Sequence, residues 1–209
     1  MSAQRLAVAA VAALCLGGCA TFPEAFPFTP AQPKPPADEG AWAQARDRFT
    51  ASAKLYDGLA TRAFVSAVYQ SPDVRERRVA RMAVWREVGA EERDRLLQLE
   101  RDEASQYEDF IVSLFTPDRS DNDLDSNRSV WRLAVTVAGE GEEEPLKVEA
   151  VRSDATVRTL YPSIGDFDVV YRVRFARWPK GPLEQRQFAL RIAGARGRMD
   201  LAFPAPEKK

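Results

Sequence analysis

Apolar residues follow two rhythms along this chain, and the first begins near position 38. Trp42, Ala45, Phe49, Ala53, Tyr56, Leu59, Ala63 and Ala67 recur at intervals of three and four, the spacing that lines one face of a helix. Gln70-Ser71-Pro72-Asp73 then interrupts the run. Ser71 suits an N-cap, Pro72 a first helical turn and Asp73 the positive end of a helix, so a second helix is expected to start there. Val74, Val79, Met82, Ala83 and Val88 carry a weaker stripe to Gly89, and Leu96, Leu99, Glu103, Tyr107, Phe110 and Leu114 a stronger one to Pro117. A glycine costs about 1 kcal/mol inside a helix, which predicts a break or kink at Gly89. The pattern thus predicts a helical segment over 38–116, built as a hairpin or as three helices.

After an acidic linker over 117–129 the rhythm changes to two. Trp131, Leu133, Val135 and Val137 alternate with Arg132, Ala134 and Thr136, and Phe167, Val169, Tyr171, Val173 and Phe175 alternate with charged or small residues. Leu146-x-Val148-x-Ala150, Val157-x-Thr159-x-Tyr161, Phe188-x-Leu190-x-Ile192 and Met199-x-Leu201-x-Phe203 bring the total to about six short strands. Gly- and Pro-rich turns separate them. One apolar face per strand predicts an antiparallel β-sandwich of immunoglobulin-like size over 130–204, with a tail at 205–209. The expected fold class is α+β, helices first and sandwich second.

Charge and composition narrow the chemistry. With 30 Lys and Arg against 31 Asp and Glu, the net charge of −1 supplies no field favouring nucleic acid. Histidine is absent, which removes Ser-His-Asp and Cys-His catalysis and nearly all zinc enzymes. Phosphate-loop, dinucleotide-fold and nucleophile-elbow motifs are missing as well. No cofactor is expected, and an enzyme becomes the minority reading.

Ahead of the helical segment, Leu6 to Leu16 forms an apolar run of about eleven residues behind Arg5, the length of a signal-peptide core. A membrane-spanning helix needs about twenty. The run ends in Leu16-Gly17-Gly18-Cys19, which resembles the lipobox of bacterial lipoproteins: an aliphatic residue, two small residues, then the cysteine. Cys15 follows the bulky Leu14 and does not fit that pattern. The resemblance implies a signal peptide over 1–18, peptidase recognition of Leu16, Gly17 and Gly18, and acyl chains on Cys19 that hold the protein to a membrane. Ala20 in place of an aspartate favours the outer membrane of the cell envelope. Prolines at 23, 27, 30, 33, 35 and 36 make 19–37 a polyproline-like tether, reaching up to roughly 45 Å at about 3.1 Å per residue.

Several residues are candidates for a site. Asp121, Asp123 and Asp125 have the alternating oxygens that open a calcium loop, but Ser126 replaces its glycine and Arg132 its closing glutamate, so a solvated linker is the better account. Arg75, Arg77, Arg78, Arg81 and Arg86 are interleaved with acids and read as a solvated face. Arg172, Arg174 and Arg177 line one side of the longest strand, and Trp178 sits beside Pro179 in a loop; these four are the expected ligand or partner contacts. The expectation for function is a non-enzymatic envelope binding or assembly module with an envelope protein partner. Its alternatives are a carboxylate-dependent hydrolase, and a carrier of lipid or a small apolar ligand with a cavity above about 300 Å³ between helices and sheet.

Overall fold

The Ser71 hydroxyl accepts a hydrogen bond from the Val74 amide at 3.3 Å, and Pro72 opens the helix behind that cap. In the computed structural model, which describes residues 39–205, this helix is α2 (Pro72–Trp85). Glu87 then takes a positive φ of 51° and Gly89 begins α3 (Ala90–Gln106), so the break expected near Gly89 is present. Among the described residues the chain is α+β, with two antiparallel sheets and four α-helices. None of these helices is long and apolar enough to cross a membrane. Residues 1–18, the whole of the tether and 206–209 lie outside the described residues, and with them Leu16, Gly17, Gly18 and Cys19.

The all-helical segment expected over 38–116, a hairpin or three helices, is corrected by the structure. Only Glu39–Arg48 (α1) of its first stripe is helical; β1 (Thr50–Asp57) and β2 (Ala60–Tyr69) follow as a hairpin. Gly58-Leu59 makes the turn, with Gly58 at φ 60°, the left-handed value that a two-residue hairpin loop needs at its first position. Ala63, Val65, Ala67 and Tyr69 are buried on one face at a period of two. Ala63 and Ala67 satisfy helical spacing too, but Phe64, Val65, Val68 and Tyr69 are β-branched or aromatic and fill a pleated surface better. The same holds for β3 (Tyr107–Phe115), where the helix of α3 gives way to a strand at Tyr107.

Further along, β4 (Trp131–Val137), the short β5 (Gly141–Glu143), β6 (Lys147–Val151), β7 (Val169–Ala176), β8 (Phe188–Gly194) and β9 (Gly197–Phe203) complete the strands. The strand expected around Val157-Thr159-Tyr161 is instead the short helix α4 (Ala155–Leu160), because the Asp154 carboxylate caps it by accepting from the Val157 amide at 2.9 Å.

One sheet has the order β1-β2-β3-β7-β6 and the other β5-β4-β8-β9. Strands from both sides of residues 117–129 therefore pair directly, β3 with β7, and that segment is a connection inside the fold rather than a border between domains. The sheets share one core: Phe110 of the first stands 6.1 Å from Phe188 and 5.8 Å from Phe203 of the second, which are themselves stacked at 4.7 Å. Burying each such ring contributes roughly 1.5–3 kcal/mol.

A close backbone approach marks where the second sheet is anchored. A Cβ on Gly194 would lie 1.8 Å from the carbonyl oxygen of Val130, an atom that cannot move without breaking the β4–β8 ladder. Gly194→Ala is therefore expected to lose roughly 2–3 kcal/mol in urea denaturation; a variant as stable as the parent would show that this approach is not obligatory.

Candidate functional site

Alternation along β3 points Glu108 and Phe110 into the core and Tyr107, Asp109 and Ile111 to the outer face of the five-stranded sheet. Helices α2 and α3 lie across that outer face, and they are tied to it by charge. Asp109, only 1% exposed, accepts from Arg75 at 2.7 Å, from Arg172 at 2.7 Å and from Arg174 at 2.8 Å. Arg75 comes from α2 and is equally buried; its other nitrogens reach Glu100 of α3 at 2.9 Å and the Gln70 carbonyl oxygen at 2.9 Å. Glu103 of α3 receives Arg172 at 2.5 Å and Arg174 at 2.8 Å, and Arg174 also lies over the Tyr107 ring at 4.4 Å. Burial alone pushes the Asp109 carboxyl up, but the hydrogen bonds from Arg174 and Arg172 and the charges of Arg172 and Arg75 outweigh it, holding the group well below the usual carboxylate range.

Its neighbour Glu108 faces the core under opposite forces. The single Tyr69 hydroxyl proton has two carboxylates in reach, Glu108 at 2.5 Å and Glu184 at 2.9 Å, and Arg177 lies 3.1 Å from Glu108. Burial pushes Glu108 up, and the Tyr69 hydrogen bond and the Arg177 charge do not cancel it.

Above this ionic layer a cleft of about 330 Å³ opens between α2, α3, α4 and the sheet. Val79 and Met82 of α2, Leu96 of α3, Ile111 of β3 and Val157 and Leu160 of α4 give it apolar walls. A polar group sits among them: Arg78 donates to Gln70 at 2.7 Å and to the Tyr161 hydroxyl at 3.4 Å, and pairs with Glu100 at 2.6 Å. Tyr161 in turn donates to Gln70 at 3.0 Å. Burial opposes the Arg78 charge, but Tyr161 and Glu100 beside it raise its pKa further, so it remains a cation. Arg86, exposed, lines the same cleft and makes no side-chain ion pair among the described residues. The arrangement can hold an apolar body and meet one anionic end.

The residues singled out in the sequence are dispersed. Arg172 and Arg174 belong to the ionic layer, while Arg177 pairs with Glu108 and Glu184. Trp178 is not a loop surface; it is 5% exposed, with its indole N–H donating to Glu140 at 2.8 Å. Asp121 accepts from Arg196 at 2.8 Å and Asp123 from the Ser129 hydroxyl at 2.8 Å and the Val130 amide at 3.2 Å, which commits two of the three oxygens sets a calcium ion would need. No group of acidic residues suited to a metal ion occurs among the described residues. The five arginines of 75–86 are also not one solvated face: Arg75 and Arg81 are buried, Arg81 pairing with Glu39, whereas Arg77 and Arg86 are exposed.

Asp109, Glu103 and the cleft-lining Val157 and Tyr161 escaped sequence reasoning, since two of them lay in supposed helix and two in a supposed strand. No family model, curated protein or solved structure matches the chain.

Two adjacent acid-to-amide changes separate the roles of these carboxylates. Asp109 is the stronger acid when folded, so its stabilisation is complete above the ordinary aspartate value of about 3.9 and is lost as pH falls through its own lower value. Asp109→Asn leaves Arg75 buried without its main partner and should cost about 3–5 kcal/mol at neutral pH, with a shallower loss of stability on acidification. Glu108, raised, stabilises most below the ordinary glutamate value of about 4.3 and loses that contribution as pH rises through its own value. Glu108→Gln should therefore cost less than Asp109→Asn at pH 7 in urea melts. Equal losses from both changes would refute this division.

Proposed function

We propose that the chain is a membrane-anchored envelope lipoprotein whose folded part is a non-enzymatic binding module for a small anionic amphiphile. The cleft between α2, α3, α4 and the outer sheet face carries the reading. Its volume of about 330 Å³ falls at the lower end of the range for small-molecule sites, about 300–1,000 Å³, and apolar walls with a few polar groups are the usual composition of such sites. Arg86 supplies an unpaired cation for a carboxylate or phosphate end. With this reading goes a finer architecture, α2 and α3 as a helical hairpin and the two sheets as faces of one β-sandwich of immunoglobulin-like size; the ring contacts of Phe110 with Phe188 and Phe203 support it.

The carboxylates of the cleft favour binding over hydrolysis. Glu100 is held by Arg75 and Arg78, and Asp154 by the Val157 amide, so each already has a structural partner. The envelope address rests on the order Leu16-Gly17-Gly18-Cys19 behind an apolar run, with Ala20 favouring the outer membrane.

Dodecanoate and dodecylamine, equal in length and opposite in charge, test the cleft when titrated into the purified protein by calorimetry. Dodecanoate should bind more tightly, Arg86→Glu should reverse the preference, and Val157→Trp should weaken dodecanoate about tenfold, or about 1.4 kcal/mol, by filling the cavity. Binding of neither probe, or dodecanoate binding indifferent to Val157→Trp, would remove the cleft as the site. The anchor is tested separately by growing cells on a clickable fatty acid: the parent should take up label and Cys19→Ser should not, and label retained by Cys19→Ser would refute lipidation there.

A further inference from the structure

A second recess, of about 290 Å³, lies on the outer face of the same sheet near its β1 edge and is lined by no helical residue. Ser52, Ser66 and Ser113 are register partners on β1, β2 and β3, so their side chains form a row of hydroxyls across three strands. Phe64, on the same face two residues before Ser66, also lines the recess, with the Lys54 ammonium 5.4 Å above its ring. Its ring stands 5.9 Å from Phe115 and 5.9 Å from Tyr56, and Tyr56 is 52% exposed. Ser163 and Asp168, from the segment before β7, complete the lining.

The Ser66 hydroxyl, like a few other buried polar atoms such as the Tyr171 hydroxyl, is not accounted for by folding alone. Ser66 is 9% exposed, its oxygen is buried, and it has no hydrogen-bond partner among the described residues. A buried hydroxyl without a partner is destabilising, and alanine would pack the same space without that penalty. Ser66 is one of the residues that line the recess, and a ligand group seated beside it could complete the hydroxyl's hydrogen bonds.

We propose that this recess binds a neutral pyranose ring of a glycan. A sugar ring has the two properties the lining asks for. Its vicinal hydroxyls both donate and accept, which matches a row of serines that do the same, with Lys54 as donor and, as acceptor, the Asp168 carboxylate, one oxygen of which already accepts from the Gly165 amide at 2.8 Å. Its C–H face is apolar, which matches the Phe64 ring in the lining and, at its rim, the exposed Tyr56 ring 5.9 Å from Phe64. One cation and one carboxylate leave the recess without net charge, favouring an uncharged ring over a uronate or a phosphosugar. This site is separate from the helix-lined cleft, and the two inferences stand or fall independently.

Titration of the isotope-labelled, purified full-length protein with maltotetraose and with the tetramer of N-acetylglucosamine tests it by amide chemical shifts. Saturable shifts are expected for at least one probe, centred on Ser52, Lys54, Ser66, Ser113 and Asp168. Ser66→Ala and Tyr56→Ala, with the rest of the spectrum unchanged to report intact folding, should each weaken binding about fivefold or more, and five-fold is about 1 kcal/mol. Absence of saturable shifts with both probes overturns the proposal and leaves the recess as a solvated hollow. Shifts confined to Val79, Leu96 and Val157 also overturn it, because they place the sugar in the other cleft, and undiminished binding by Ser66→Ala removes the hydroxyl from the site.

Discussion

A single carboxylate, Asp109, decides where the helices go. Three arginines from two elements converge on it, Arg75 from α2 and Arg172 and Arg174 from β7, while Glu103 and Glu100 bring α3 to the same cations. Such a buried cluster gains little net stability over a well-packed apolar contact. What it supplies is placement: an apolar helix face can slide over an apolar sheet, but guanidinium forks meet carboxylates at few angles. The cleft depends on that placement, since its walls are the parts of α2 and α3 that extend beyond the charges, and Arg78 and Glu100 belong to both.

The two faces of the five-stranded sheet therefore follow different physics. Inward, Phe110, Tyr171, Val173 and Phe175 meet the second sheet in an apolar core. Outward, the sheet is polar at nearly every strand, with arginines and aspartate under the helices and serines toward the β1 edge. Both proposed binding sites lie on this outer face. A face freed from core packing can carry polar side chains at fixed spacing on a rigid support, which is what recognition requires.

The sequence was most legible where one rhythm excluded the other. Most of the strands beyond residue 130 and the start of α2 are found at the expected positions, because strict alternation and a Ser-Pro-Asp start signal each have a single structural meaning. It misled where small residues fitted both periods. Ala53, Ala63 and Ala67 sit at helical spacing, yet their burial comes from a pleat, and Gly58 was the local turn signal that outweighs them. Arg172 and Arg174 were identifiable as residues of one strand face, but their partners are on a helix and a distant strand, and no pattern in a single chain specifies which acids will arrive. Trp178 looked exposed because loops usually are; its acceptor Glu140 lies in another turn. Side-chain partnership across the fold is a property of the closed structure, not of local order.

The order of strands has a consequence in time. β3 cannot find its second neighbour until β7 exists, and β7 begins at Val169, after most of the described chain has been made. Pairings between distant segments form slowly because the intervening loop must first be closed. Until then β1, β2 and β3, the last two joined through α2 and α3, can offer only a three-stranded sheet with one apolar side uncovered. Closure of the five-stranded sheet thus waits on the later strands of the chain.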